Sequence, residues 1–331
     1  MEVNVDEPKV SVIVLTYNQE KTIGRTLDSI LRQKRNFPIE IIIGDDASKD
    51  HTVQVCREYA RKYPEIIRLV ENKTNKGLLQ NYYDCVLLAK GKYISECAGD
   101  DFWIYEEKIQ KQSEILDRDK DTVLVCADWK NYIEEKKEFE SPWQDGKYPY
   151  IDSLQSKDLT TLLLRHPNPP MVHLCTAMYR KDAFLKLFHE DPYVFTCKEF
   201  IVEDLQLITL LSCEGKFQYL DVPVLAYSVS DKSLTGTKDF NKVFDLYYAS
   251  LSLTRCLADK TGVSHEALED YYKKFIHYIT AQAFHSGDKG RLSKARRMAK
   301  DWNLSLNKKT KLIFLLAWNK VAWEIARKTK R

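Results

Sequence analysis

Residues 8–18 read PKVSVIVLTYN, an apolar, β-branched run that stops abruptly on three polar residues. The segment Val10–Leu15 predicts a strand buried on both faces, the kind found inside parallel sheets. The texture recurs at Glu40–Ile43, Ile66–Val70 and Tyr93–Cys97. Between these runs the apolar positions take helical spacing: Ile23, Leu27, Ile30 and Leu31, then more weakly Val53, Cys56 and Ala60, then Leu78, Tyr82, Cys85, Val86 and Ala89. Strands alternating with helices of this length imply an α/β protein whose parallel sheet is covered on both faces. Such sheets bind ligands beyond the carboxyl ends of their strands. The clusters Thr16-Tyr17-Asn18, Asp45-Asp46-Ala47-Ser48 and Gly99-Asp100-Asp101 stand at those ends.

Further along, Pro142, Pro149, Pro167, Pro169 and Pro170 mark an irregular stretch around one helical segment near Leu159–Leu164. Leu174–Tyr179 then reads as a strand, Asp204–Cys213 as a helix, and Phe217–Leu220 and Val224–Tyr227 as strands flanking Pro223. Beyond about Lys238 every pattern is helical. The 331 residues are 44% hydrophobic and 30% charged, the profile of a globular protein. With 51 basic and 48 acidic residues the net charge is only +3, which disfavours nucleic acid as a partner. Eight cysteines form no CxxC pair, so reduced, mostly buried thiols are expected rather than a zinc site or a disulfide framework. MEVNVDEPKV is acidic and lacks an apolar core, and Leu312–Trp318 is too short to span a bilayer. The expected location is the cytoplasm, with a peripheral place on the cytosolic face of a membrane as the alternative.

Neither GxGxxG nor GxxxxGK[ST] occurs, which argues against dinucleotide dehydrogenases and P-loop NTPases. The strand ends offer carboxylates instead, paired at Asp45–Asp46 and Asp100–Asp101. Adjacent carboxylates repel unless a cation or ligand donor groups compensate. A divalent metal bridging a diphosphate does so, and Mg²⁺ or Mn²⁺ prefers oxygen ligands of this kind. Asp after a strand is also an ordinary turn or cap residue, which is the better reading for Asp45 alone.

These segments resemble family 2 glycosyltransferases, which have the GT-A fold. PKVSVIVLTYN is similar to the family's opening strand and turn, and IIIGDDASKDHT (Ile41–Thr52) to its D-D-x-S-x-D-x-T signature. Asn75–Gly77 with Asn81 resembles the N-x-G…N element, KYISECAGDDFW (Lys92–Trp103) the DxD-type strand and motif, and VEDL (Val202–Leu205) the catalytic ED element. The resemblance covers roughly residues 8–235. It implies that Thr16, Tyr17, Asn18 and Glu20 form the floor and wall of a nucleotide pocket. Asp46 would accept a hydrogen bond from the base, usually uracil. Gly77 would permit close backbone approach, and Asn81 would lie beside the ribose or diphosphate. Asp100, with Asp101 beside it, would hold Mn²⁺ or Mg²⁺. Asp204 would be the general base of an inverting displacement, supported by Glu203.

Two departures bear on the metal. Ala98 replaces the first acidic residue of the DxD-type motif, and Tyr227-Ser228-Val229-Ser230 stands where the family often carries Y-R-x-H. Lys232 is a candidate replacement charge. His173 is a candidate acceptor or sugar contact, though a packed strand-end histidine competes; Arg180 and Lys181 are expected to be solvated, and Trp103 and Trp129 to pack in the core. Residues 308–331 hold eight basic residues against Glu324, the pattern of a basic amphipathic helix on an anionic membrane surface or of an ordinary packing helix.

The expectation is a GT-A domain over residues 1–235, with a donor half to about 130 and an acceptor half from about 131. A helical extension over 236–331 follows. The expected activity is transfer of a sugar, hexosyl or N-acetylhexosaminyl, from a nucleotide-sugar donor, UDP-linked for preference, to a glycan or lipid-linked glycan. A non-catalytic nucleotide- or glycan-binding relative is the alternative. A sugar-nucleotide synthesising nucleotidyltransferase would need a Gly/Arg/Lys-rich loop after the first strand, where TYNQEK stands.

Overall fold

A computed structural model describes residues 7–140, 149–165, 170–229, 239–317 and 323. The chain divides into two compact units, Met1–Ser230 and Asp231–Arg331. The first unit opens with β1 (Val10–Thr16), α1 (Ile23–Leu31), β2 (Ile39–Asp45), α2 (Thr52–Lys62), β3 (Ile67–Glu71), α3 (Leu78–Leu88) and β4 (Tyr93–Glu96). It continues with β5 (Phe102–Trp103), α4 (Lys108–Arg118), β6 (Thr122–Ile133), β7 (Glu138–Glu140), α5 (Ser156–Leu164) and β8 (Met178–Arg180). Helices α6 (Lys181–Glu190), α7 (Tyr193–Thr196) and α8 (Asp204–Glu214) and strand β9 (Lys216–Val229) complete it.

One sheet runs through this unit in the order β3-β2-β1-β4-β8-β6-β9-β5, with β7 on β6. Strands β1 to β4 are parallel wherever they pair. β8 then runs antiparallel to both β4 and β6, and β9 is parallel to β6. The fold is α/β as expected, and its second half is mixed. Every residue of β1 is buried, as a strand sandwiched between helices requires. Ile23, Leu27 and Ile30 of α1 are fully covered in the same core as Val12, Ile41 and Trp103. A Cβ at Gly44 would lie 2.6 Å from Cys85 Sγ and 2.9 Å from Asn81 Oδ1, so glycine is what lets α3 settle on β2.

Three sequence expectations are corrected. Leu174–Thr176 is a 3₁₀ turn, and only Met178–Arg180 is strand. Lys216–Val229 is one continuous strand through Pro223, made possible by a register irregularity where Pro223 faces Asp128. Arg180 is buried, donating to the carbonyls of Thr122, Leu116 and Asp119, and Lys181 Nζ donates to Ala89 O at 2.7 Å. Pro142, Pro167, Pro169 and Lys232 lie outside the described residues. All eight cysteines are free, six of them buried.

The second unit holds α9 (Phe240–Thr261), α10 (Glu269–Ser286), α11 (Lys289–Asp301) and α12 (Lys308–Leu316). Asp239, Asp288 and Asn307 cap three of these helices, accepting first-turn N–H groups. Gly262 and Gly287 end two of them in the left-handed conformation. Along α12, Thr310 and Phe314 are buried, while Leu312 and Leu315 are exposed beside Lys308, Lys309 and Lys311. Most of 318–331 lies outside the described residues. No helix among them is long and apolar enough to cross a membrane.

Candidate active site

Because β2, β1 and β4 are parallel neighbours, their carboxyl ends bring Asp46, Thr16 and Asp100 to one edge of the sheet. The turns after β1 and β2 are stitched together. Asn18 N–H donates to Ser48 Oγ at 2.9 Å and Asn18 Oδ1 accepts from Lys49 N–H at 2.7 Å. Glu20 Oε2 accepts from His51 N–H at 2.9 Å, which, with its contact to the His51 ring, lowers its pKa. Asn18 and Glu20 therefore tie the turn after β1 to the turn after β2, and Thr16 is buried. Tyr17 is the open ring, 46% exposed. Asn18 and Ala47 both sit at positive φ, 56° and 63°, strain of the kind that concentrates at functional sites.

Asp46 is buried, and its carboxylate accepts from Lys76 N–H at 2.8 Å, Gly77 N–H at 2.9 Å and Asn72 Nδ2 at 3.2 Å. Gly77, at φ +85°, opens α3 with free space where a side chain would be. Asn81 lies below: it is buried, donates to Gly44 O at 2.9 Å and accepts from Asn72 Nδ2 at 2.8 Å. It is linked to Asp46 through Asn72 Nδ2, which donates to both side chains. Asn72, the bridge between the two, was not singled out from the sequence.

Asp100 is half-buried and Asp101 buried, 2% exposed. Ser228 N–H donates to Asp101 Oδ1 at 2.8 Å, and Ser228 Oγ donates to Asp100 O at 2.6 Å. Burial raises both carboxyls above their usual range, Asp101 well above it with Asp100 pushing the same way.

At the start of α8, Tyr83 OH donates to Glu203 O at 2.6 Å, and Leu205 N–H donates to Asp204 Oδ1 at 2.6 Å. Burial, and then Asp204, lifts Glu203 to about 8; burial also raises Asp204. Glu96, the last residue of β4, joins the two groups and was missed in the sequence. It is 3% exposed, and Oε2 has no hydrogen-bond partner. Burial raises it well above the usual carboxylate range, reinforced by Glu203, Asp204 and Asp101. Lys108 opposes that rise; it is itself buried, donates to Ser95 Oγ at 2.7 Å and is lowered to about 7 by burial.

His173 lies between the rings of Trp129 and Tyr227, at 5.2 and 5.0 Å, and accepts from Cys175 N–H; burial lowers it to about 4. It is a half-buried imidazole packed against both rings. Trp103 and Trp129 are buried as expected.

The model of Glycosyl transferase family 2 matches residues 11–188, and the chain belongs to that family. An uncharacterized protein of Mycobacterium tuberculosis is 35% identical over 173 residues, 52% of this chain and 47% of that one. The chain thus spans about half the length of this curated relative. Among solved structures, S. aureus TarS 1-349 in complex with UDP-GlcNAc is similar with a TM-score of 0.59 and 16% identity, covering 92% of this chain and 83% of that one. The mannosyltransferase PcManGT from Pyrobaculum calidifontis, in complex with GDP-Man and Mn²⁺, gives 0.55 and 16%, covering 98% and 88%. The fold is that of GT-A glycosyltransferases.

Proposed function

We propose that the chain is an inverting glycosyltransferase that moves a sugar from a nucleotide-sugar donor, UDP-linked for preference, to a hydroxyl of a glycan or lipid-linked glycan. The observation that carries this reading is the placing of Asp46 and Asp100–Asp101 at the carboxyl ends of β2 and β4, with buried Glu96 within electrostatic reach of both Asp101 and the Glu203–Asp204 pair at the start of α8. In the donor half, Tyr17 offers a ring face to the base, and Asp46 fixes the loop that opens α3. In the acceptor half, Asp204 takes the proton from the acceptor hydroxyl. That oxygen then bonds to the anomeric carbon, while the bond from this carbon to the diphosphate oxygen breaks with inversion. A carboxylate base in this role contributes ~10²–10⁴-fold.

A divalent cation fits Asp100 and Asp101, because two adjacent carboxyls held above their usual range by burial are relieved by a cation. Among the described residues no three acidic, histidine or cysteine side chains are grouped to hold a metal. The protein would thus give two carboxylates, with the diphosphate and water supplying the rest, an arrangement usual for Mg²⁺. When bound, Mn²⁺ or Mg²⁺ offsets the charge that develops on the departing diphosphate. Ala98 and the short ligand set favour, as a second reading, a nucleotide-binding relative without turnover. Lys308, Lys309 and Lys311 beside exposed Leu312 and Leu315 support contact with an anionic membrane surface, on the cytosolic face.

The test is a thermal-shift titration with UDP, GDP, CDP and dTDP, each with and without Mn²⁺, followed by donor consumption. A ligand at a hundred times its Kd stabilises the fold by ~2.7 kcal/mol. Stabilisation by UDP that needs Mn²⁺ and disappears in Asp100→Ala supports the donor site. Binding without donor consumption under any acceptor or metal condition moves the assignment to the second reading, and no shift with any nucleotide overturns both.

A further inference from the structure

Ser228 stands where the family often carries an arginine, yet a guanidinium does reach this point, from the other end of the chain. Arg25 of α1 donates through Nη2 to Asp100 O at 2.8 Å, to Ser228 Oγ at 3.2 Å and to Glu134 Oε1 at 2.5 Å. Its guanidinium carbon lies 4.2 Å from the centre of the Phe102 ring and 5.1 Å from that of Tyr132. Nη2 thus brings together the Glu134 carboxylate, the Asp100 carbonyl and the Ser228 hydroxyl, with the two rings against the guanidinium. Arginine suits such a place because its planar fork donates in several directions while it stacks, which an ammonium cannot do.

Two of its three polar partners, Asp100 O and Ser228 Oγ, belong to the contacts that set the Asp100–Asp101 pair. Asp100 O takes hydrogen bonds from both Arg25 and Ser228 Oγ, and Ser228 N–H holds Asp101 Oδ1. We infer that Arg25 is a positioning residue that clamps the Asp100–Asp101 turn to the end of β9, so that both carboxylates are preset for a cation on the donor diphosphate. The inference rests on the proposed role of those carboxylates. A role confined to tethering α1 would account for the Glu134 pair and the ring contacts, but not for the further bonds from the same Nη2 to Asp100 O and Ser228 Oγ. Groups that orient a metal's ligands change metal affinity when removed, and the expected damage is therefore local.

Calorimetry separates these cases, using the full chain with UDP in the absence and presence of MnCl₂, and with UMP alone as a probe of the base end. Arg25→Met is expected to lose about tenfold or more of the Mn²⁺-dependent gain in UDP affinity, the scale usual for such supporting groups, with UMP binding unchanged. Arg25→Lys recovers only part of the gain. Ser228→Ala, which keeps the N–H on Asp101, loses less than Arg25→Met, and with Arg25→Lys gives the same reading should Arg25→Met fail to fold. An undiminished Mn²⁺ gain in Arg25→Met and Ser228→Ala overturns the inference, as does a parallel loss of UMP binding. A wild-type protein that binds UDP with no Mn²⁺ gain sinks the metal role itself, a result distinct from variants that match a responsive wild type.

Discussion

The phenol of Tyr83, in α3, donates to the carbonyl of Glu203 at 2.6 Å, tying the helix that Gly77 opens to the residue just before Asp204. The ring is packed against Phe184 and Phe195, at 5.6 and 5.0 Å, so the hydroxyl is held in place by its own core. Tyr83→Phe keeps that packing and deletes one bond to a partly buried carbonyl, costing about 0.5–1.5 kcal/mol of stability. If Asp204 is the base, the same variant lowers kcat with little change in the donor KM. Steady-state kinetics beside a melting curve check both parts, and an unchanged kcat detaches this bond from catalysis.

Asp46→Asn leaves one acceptor oxygen where the native carboxylate takes Lys76 N–H, Gly77 N–H and Asn72. The new amide group faces a donor, and the loop before α3 loosens at a cost of about 1–3 kcal/mol. The expected signature is a rise in nucleotide Kd larger than that of Asn81→Ala, which acts one layer below. Titration with UDP tests the order; equal effects would place Asn81 in direct contact with the ligand.

Ala47 holds φ at 63°, where an L side chain is strained and glycine is not. Ala47→Gly is expected to stabilise the first unit by up to about 1 kcal/mol, the strain relieved being partly offset by glycine's greater freedom in the unfolded chain. Chemical denaturation measures it. A destabilised variant would mean that the Ala47 methyl has packing value exceeding its backbone strain.

Burial, and then Asp204, raises Glu203 to about 8, whereas in an unfolded chain it would titrate in the ordinary carboxylate range. Between those limits the folded state binds more protons, so stability is fully present below the unfolded value and declines as pH rises toward 8. Glu96 and Asp204 are raised by burial in the same direction. Melting temperature is therefore expected to fall from pH 5 to pH 8, and the fall to be shallower in Glu203→Gln and in Glu96→Gln. Identical slopes in all three proteins would show that these carboxyls ionise as freely as in water.

The parallel half of the fold was legible because its signals are local: Val10–Leu15 and Tyr93–Cys97 are apolar runs, and Ile23, Leu27 and Ile30 mark one buried stripe. β6 was not read as a strand, and β9 was read as two; each is defined by its partner more than by its own pattern. Arg180 reads as a solvated strand end because nothing nearby in sequence announces the three carbonyls that receive it. Glu96 was overlooked for a related reason. A single acid in Ser-Glu-Cys resembles a solvent-facing strand position, and the Glu203–Asp204 pair that gives it meaning arrives from a distant segment. Asp46 and Asp100–Asp101 were visible as pairs after apolar strands; Asn72, Arg25 and Ser228, which hold them, carry no motif.

The pairing of β6 with β9, in which Thr122 faces Lys216 and Asn131 faces Tyr227, also sets an order of assembly. Contacts between distant segments form late, because the loop between them must close first. The Asp46–Gly77 turn draws on residues all present once β4 has been made, whereas Ser228 is among the last residues of the first unit to leave a ribosome. A nascent chain would therefore form the Asp46–Gly77 turn well before Asp100 and Asp101 are held by Ser228. Truncation ahead of β9 should leave an early intermediate with the first property and without the second.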